Sequence, residues 1–273
     1  MGMSKCSEVQ NMFGSRTHNQ SSYEVVAEKT YTWRSSEQNF FTYDRETKER
    51  VALPEGAKLI PLTATHSVTG VHERDHGKAT QRYNRIYSNE FTDYRQDVIT
   101  VKEVDNLDNT KTVIAEGVYS PTVKDIITDL PYAKFTTNIY CLLDGEVVRI
   151  SLAGASLKPW IDFETKLRQT NTYLTDSHCV LLDGAEEVRN GAVTFYSPKF
   201  KLGDITAEEN EVANATAFEV EGKIARNKAN GSNDSTDFTD NIPATQKAET
   251  QSEAEPAATT DDSGNIDLSS IPF

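Results

Sequence analysis

Phe135 to Leu143 and Glu146 to Leu152 are two apolar-rich runs separated only by Asp144-Gly145. A link that short joins two strands only in antiparallel fashion. An Asp-Gly pair tolerates the positive φ angles that a two-residue turn demands. The middle of the chain therefore reads as a tight β-hairpin, and its surroundings repeat the theme. Phe40-Phe41-Thr42-Tyr43, the polar Asp44 to Lys48 and then Val51-Ala52-Leu53-Pro54 read as a strand, a turn and an extended return. Ala57 to Leu62 is another short apolar run, and Val98 to Val101 and Thr112 to Ala115 flank the turn-rich Asp105 to Asn109. Ala192 to Tyr196 reads as a closing strand ended by Pro198.

Two short helices interrupt these strands. Ser120 is placed to cap, and Pro121 to open, a segment running to Asp129, which Leu130-Pro131 stops. A second helix is predicted from about Lys158 to Leu167, with Trp160, Phe163 and Leu167 on one face. Many short strands with one or two inserted helices predict a mainly β fold, a small barrel of the OB-fold kind.

Charge divides the chain. Its net charge is -14, yet residues 1–203 carry 24 Lys and Arg against 27 Asp and Glu, while residues 204–273 carry 4 against 15. The acidity belongs to the C-terminal part, and the pI of 4.8 does not argue against a polyanionic partner for the body. With 37% hydrophobic residues and a mean hydropathy of -0.57, part of the chain is expected to stay unfolded. The expected division is a polar disordered leader over 1–22, a β domain over 23–203 and a disordered acidic tail over 204–273. Within that tail, Asn210 to Ile224 has some helical alternation.

Cys6, Cys141 and Cys179 are widely spaced, which suits a reducing cytoplasm better than a disulfide framework or a zinc knuckle. No cofactor is expected. No apolar run reaches the roughly 18–20 residues that cross a bilayer, so no membrane partner is expected.

A positive groove interleaved with aromatic faces is how single strands of nucleic acid are held, each stacked base contributing about 1–3 kcal/mol. Four windows of the body combine cations and aromatics without carboxylates. His76 to Asn89 supplies Lys78, Arg82, Tyr83, Arg85 and Tyr87, and Leu130 to Leu143 supplies Lys134. Val147 to Ile161 supplies Arg149 and Lys158, and Val188 to Gly203 supplies Arg189, Lys199 and Lys201 with Phe195, Tyr196 and Phe200. Phe41 and Tyr43 join the candidates from their charged hairpin, whereas Tyr140, Trp160 and Phe195 lie in strongly apolar patterns and are assigned to the core.

One motif competes with this reading. His72-Glu73-Arg74-Asp75-His76 matches the H-E-x-x-H signature of zinc peptidases. That chemistry needs both histidines one turn apart on a helix, and a third ligand besides. Gly70 and Gly77 bracket the segment and no apolar stripe anchors a helix, so a polar loop beside the groove is expected. A zinc-dependent peptidase stays as an alternative, as does a scaffold or virion protein with an acidic arm.

The last residues are Asp267-Leu268-Ser269-Ser270-Ile271-Pro272-Phe273. Ile271 and the Phe273 ring can fill an apolar pocket on a partner, with Asp267 and a terminal carboxylate meeting basic residues at its rim. This tip, residues 266–273, resembles that of bacterial-type single-stranded DNA-binding proteins, whose tails finish in aspartates followed by Ile-Pro-Phe. Here Ser269-Ser270 replace the usual acids. The body, over residues 38–203, is similar to a group of phage single-stranded DNA-binding proteins. The likeness is carried by Phe40-Phe41-Thr42-Tyr43-Asp44, Tyr87-Ser88-Asn89-Glu90, Glu116-Gly117-Val118-Tyr119 with Val123-Lys124-Asp125, and Leu152-Ala153-Gly154-Ala155-Ser156 with Trp160-Ile161. The resemblance implies an OB-fold, no catalysis, and a role in DNA replication or recombination in a host cytoplasm. Its implied partners are single-stranded DNA and, through Asp267, Ile271, Pro272 and Phe273, replication or recombination proteins; self-association is left open.

Overall fold

The computed structural model describes residues 24–75, 81–105, 108–130, 132–174 and 177–229, and of residues 72–75 and 81–83 the backbone only. Eleven strands form within them. They are β1 (Lys29–Arg34), β2 (Asn39–Tyr43), β3 (Arg50–Ala52), β4 (Ile60–Asp75), β5 (Gln81–Ser88), β6 (Val98–Val104), β7 (Lys111–Val118), β8 (Ala133–Leu143), β9 (Glu146–Ala153), β10 (His178–Asn190) and β11 (Val193–Asp204). The helices are α1 (Lys124–Thr128), which follows a helical turn at Tyr119–Val123, then α2 (Leu157–Gln169) and α3 (Ala207–Ala229). The fold is mainly β, as expected. Among the described residues no helix is long and apolar enough to cross a membrane.

Nine strands make one sheet in the order β3-β2-β1-β9-β8-β4-β5-β6-β7, and β10 and β11 make a separate ribbon. The two end strands, β3 and β7, do not pair with each other, so the expected barrel is not closed by backbone hydrogen bonds among the described residues. The β8–β9 hairpin forms as its Asp-Gly turn dictates, with φ of 51° at Asp144 and 86° at Gly145. β1 runs parallel to β9, bringing Thr30 beside Arg149 and Thr32 beside Ser151.

Three local expectations are corrected. Ser120 is extended (φ -112°, ψ 124°), so α1 starts later, at Lys124. Pro198 does not end its strand. It lies within β11 opposite Ala185, where a bulge in β10 relieves the ladder of the hydrogen bond proline cannot give. The acidic region is ordered well beyond residue 203, because α3 packs on the sheet. Thr206 and Glu209 close a capping box at its start, each side chain bonding the other's backbone N–H at 3.2 and 2.8 Å. At its end, the Asn227 side chain brackets the Glu24 backbone with two 2.8 Å bonds, and Arg226 grips the Glu24 carboxylate at 2.7 and 2.8 Å.

Side chains alternate across a strand, and the registers show which residues share a face. One face carries Tyr31, Phe40, His66, Val68, Ile86, Phe135, Ile139, Ile150 and Leu152, the main apolar core. β11 and α2 cover part of it, where Phe40, Trp33, Phe200, Trp160 and Phe163 pack ring to ring. Tyr140 and Trp160 are core, as assigned. The opposite face is polar over most of its area. At the Ile60 end of β4 it turns apolar, and there α3 seats Ala213 and Val220 against Ile60, Leu62, Tyr140 and Leu142.

Candidate nucleic-acid interface

Register assembles the polar face from residues far apart in sequence. Thr69 of β4 lies opposite Tyr87 of β5 on one side and opposite Lys134 of β8 on the other, and Tyr87 lies opposite Lys102 of β6. Lys102, Tyr87, Thr69 and Lys134 thus form one row over four strands, about 14 Å from end to end at the usual strand spacing. Arg85 sits two residues from Tyr87 and shares its face. A second row runs Thr65, Asn138, Ser151, Thr32, Phe41, and Tyr43 shares the Phe41 face. Six of the residues singled out in the sequence, Phe41, Tyr43, Arg85, Tyr87, Lys134 and Arg149, therefore project from one face of one sheet.

The floor between the two rows is built of small hydroxyls and amides bonded to one another. Asn138 donates to Ser67 Oγ at 3.0 Å and accepts from Ser151 Oγ at 2.9 Å, and the Thr69 and Thr136 hydroxyls are 2.6 Å apart. These groups satisfy one another and are buried, with Ser67, Thr136, Asn138 and Ser151 no more than 6% exposed, so they form a covered polar layer between the exposed cations at its ends.

Lys134 is exposed, and no ion-pair partner holds it among the described residues. Its Nζ lies only 3.8 Å from where a Cβ on Gly154 would stand, so it leans over the junction between β9 and α2. Lys158 is exposed in the first turn of α2, just past that junction. Arg85 is half-buried, and its Nε has no hydrogen-bond partner. Gly70 shapes this end of the face: a Cβ there would fall 2.0 Å from the Tyr132 carbonyl oxygen. Only glycine lets the turn before β8 cross so close to β4, and it leaves Tyr132 43% exposed beside the row.

Two candidates are corrected. Arg149 is 5% exposed and committed to a buried network. Its guanidinium donates to Glu90 Oε1 at 3.2 Å and to Thr30 Oγ1 at 2.8 and 3.1 Å. Glu90 also accepts from the Tyr140 hydroxyl at 2.9 Å and from Thr65 Oγ1 at 2.8 Å. Arg149 therefore joins strands and cannot reach a phosphate. Tyr87 is 8% exposed, so its ring fills the row instead of offering an open stacking face. The sequence pattern could not separate these roles, because an arginine or tyrosine in a strand looks alike whether its face is covered or open.

His72 to Asp75 is not a loop but the end of β4, with His72 opposite Asn84 and Glu73 opposite Tyr83. The backbone there is extended strand, not the helix on which the zinc motif needs its residues. His76 and Lys78 lie outside the described residues, as do the side chains of Arg82 and Tyr83 and the tip residues Asp267, Ile271, Pro272 and Phe273.

Three residues on this face were missed. Lys102 completes the first row. Arg34 shares the Thr30–Thr32 face of β1, and Arg50 lies opposite Tyr43, so both stand with Phe41 and Tyr43. Arg34 and Arg50 do not stand out in the sequence because Glu37, Asp44, Glu46 and Glu49 are their neighbours there. The β1–β2 hairpin pattern itself held the signal, since residues two apart share a face.

Behind the polar face, His66 is wedged among Phe91, Tyr94 and Phe135, with ring centroids 4.7 to 5.7 Å away. Tyr94 Oη lies 2.9 Å from its Nε2 and Thr137 Oγ1 lies 3.2 Å from its Nδ1. Burial lowers its pKa to about 4, so it is a neutral member of the core at physiological pH. Compared with protein-family models, characterised proteins and solved structures, the chain has no match.

Proposed function

We propose that this chain is a non-enzymatic single-stranded DNA-binding protein that coats and protects single strands during replication or recombination and recruits partner enzymes through residues 266–273. The observation that carries the reading is the convergence of Arg34, Arg50, Phe41, Tyr43, Arg85, Lys102 and Lys134 on one polar sheet face. At the accessible ends of this face a strand would meet cations for its phosphates and the half-buried rings of Phe41 and Tyr43 for its bases.

The topology supports an OB-like frame. Taken as β9-β8-β4-β5-β6, the centre of the sheet has the order fifth, fourth, first, second, third of a five-stranded Greek-key barrel left open between its third and fifth strands. A helical segment, Tyr119–Thr128, falls between the third and fourth of these, as that frame requires. OB-folds bind on the face of their second and third strands. Here those are β5 and β6, which carry Arg85, Tyr87 and Lys102. The acidic tip adds a partner-binding segment of the aromatic-plug kind.

Arg85→Ala and Lys134→Ala test this reading directly. Each should weaken binding of labelled oligothymidine and reduce the slope of log K against log salt by about 0.7, the value for one phosphate contact on a single strand. Unchanged slopes in both variants would remove the face from the account.

A further inference from the structure

The far end of the polar face holds an arrangement that the strands do not need. Arg34 and Arg50 converge on one carboxylate: Arg34 Nη1 is 3.9 Å and Arg50 Nη1 is 3.6 Å from the same oxygen, Glu37 Oε1. Both distances exceed a good charge-assisted hydrogen bond, which lies near 2.7–2.9 Å. By comparison, Arg226 and Glu24 in the α3 anchor meet at 2.7 Å. Glu37 is therefore held loosely, in a turn, between two guanidiniums that one carboxylate only half neutralises.

The surroundings suit a competing anion from the nucleic-acid backbone. Phe41 and Tyr43 stand on the same face by register, Phe41 opposite Thr32 and Tyr43 opposite Arg50. The side chains of Arg34 and Arg50 are 18% and 31% exposed, and Glu37 is 39% exposed, so the carboxylate is the member best placed to swing away. Burial first and Arg50 second hold Arg34 below the usual arginine range, which marks the pair as mutually repelling cations. A phosphodiester carries the same single charge as Glu37 but is not tethered to the turn, so it is free to present one terminal oxygen to each fork, whereas both forks now share one Glu37 oxygen at 3.6 and 3.9 Å.

We propose that Arg34 and Arg50 form a phosphate clamp for the nucleic-acid backbone, and that Glu37 occupies it in the free protein and is displaced when a strand binds. This rests on the single-strand-binding reading above and assigns it a second contact point, with Arg34 two strands and Arg50 four strands from Lys134 across the sheet. The Lys102–Lys134 row and the aromatic pair at β2 are then two separate contact regions, because the hydroxyl and amide groups between them are buried. Glu37 acts as an internal competitor, so the clamp is never an exposed pair of bare cations.

The test is a salt titration of labelled oligothymidine binding, read by fluorescence anisotropy, on the full chain. Glu37→Gln should tighten binding about 3- to 10-fold at low salt and steepen its salt dependence. Arg34→Ala and Arg50→Ala should each flatten the slope by about 0.7. With both arginines replaced, Glu37→Gln should have no further effect. Glu37→Gln keeps both cations and alters only a turn residue, so it reports even where an arginine variant unfolds. Overturning results are an affinity unmoved by Glu37→Gln, or unchanged slopes in Arg34→Ala and Arg50→Ala. If Arg85→Ala or Lys134→Ala still flattens the slope in that case, the clamp alone is refuted. Failure of the wild-type chain to bind the oligonucleotide refutes the clamp together with the reading beneath it.

Discussion

Arg149→Met leaves the Glu90 carboxylate inside the protein without its cation. The side chains of the pair are 6% and 14% exposed, and α3 covers the neighbouring Tyr140 and Leu142. After the substitution Glu90 keeps the hydroxyls of Tyr140 and Thr65, and Thr30 Oγ1 loses both donors from the guanidinium. Breaking a buried pair by removing one partner costs about 3–5 kcal/mol, mostly the penalty of the charge left behind. For a chain of this size that corresponds to a fall in Tm of roughly 6–20 °C. Replacing Glu90 as well, by Gln, removes the stranded charge, and the double variant should recover most of the loss. Thermal unfolding followed by circular dichroism measures all three variants. Oligothymidine binding below each Tm should keep its wild-type salt slope, because Arg149 touches no phosphate. A loss under about 1 kcal/mol accompanied by a flatter salt slope would refute this assignment and return Arg149 to the interface.

Three further outcomes are expected. His66 has a pKa of about 4 in the fold against about 6.5 unfolded, so between those values the unfolded chain binds the extra proton. Stability should fall by about 3 kcal/mol as pH drops from 6.5 to 4 and level off below, and His66→Gln should remove that dependence; denaturant melts of both proteins across this range decide it. Gly70→Ala forces a Cβ to within 2.0 Å of the Tyr132 carbonyl, so the turn before β8 must shift. It should cost about 1–3 kcal/mol in a denaturant melt and weaken oligothymidine binding, and wild-type stability would contradict the close approach. Deleting residues 266–273 should leave single-strand affinity unchanged or slightly higher while abolishing capture of a replication or recombination partner; a large drop in affinity would end that division of labour.

The β8–β9 hairpin and α2 were legible in the sequence because each rests on local signals, a two-residue Asp-Gly turn and an apolar stripe at helical spacing. β4 was read only over its apolar start. Its second half, Thr69 to Asp75, is polar and takes its strand form from pairing with β5, which sequence does not display. α3 was legible only as helical alternation over Asn210 to Ile224, because its contact face includes alanine at 213 and valine at 220, too thin a stripe to outweigh the surrounding acids. The polar face was half legible. Acid-free windows led to Arg85 and Lys134, but a window groups residues by sequence, whereas a sheet groups them by register. Arg34 and Arg50 were lost to acidic neighbours that register carries elsewhere, and Arg149 was kept although Glu90, 59 residues away, claims it.

The proposed role of the polar sheet face is to hold single strands. Fluorescence anisotropy of a labelled oligothymidine, titrated with the full chain at several salt concentrations against unlabelled duplex competitor, tests it most directly. Binding should saturate, weaken steeply with salt and resist displacement by duplex of equal charge. Absence of binding at low salt, or equal displacement by duplex, would contradict it and favour a scaffold role for the chain.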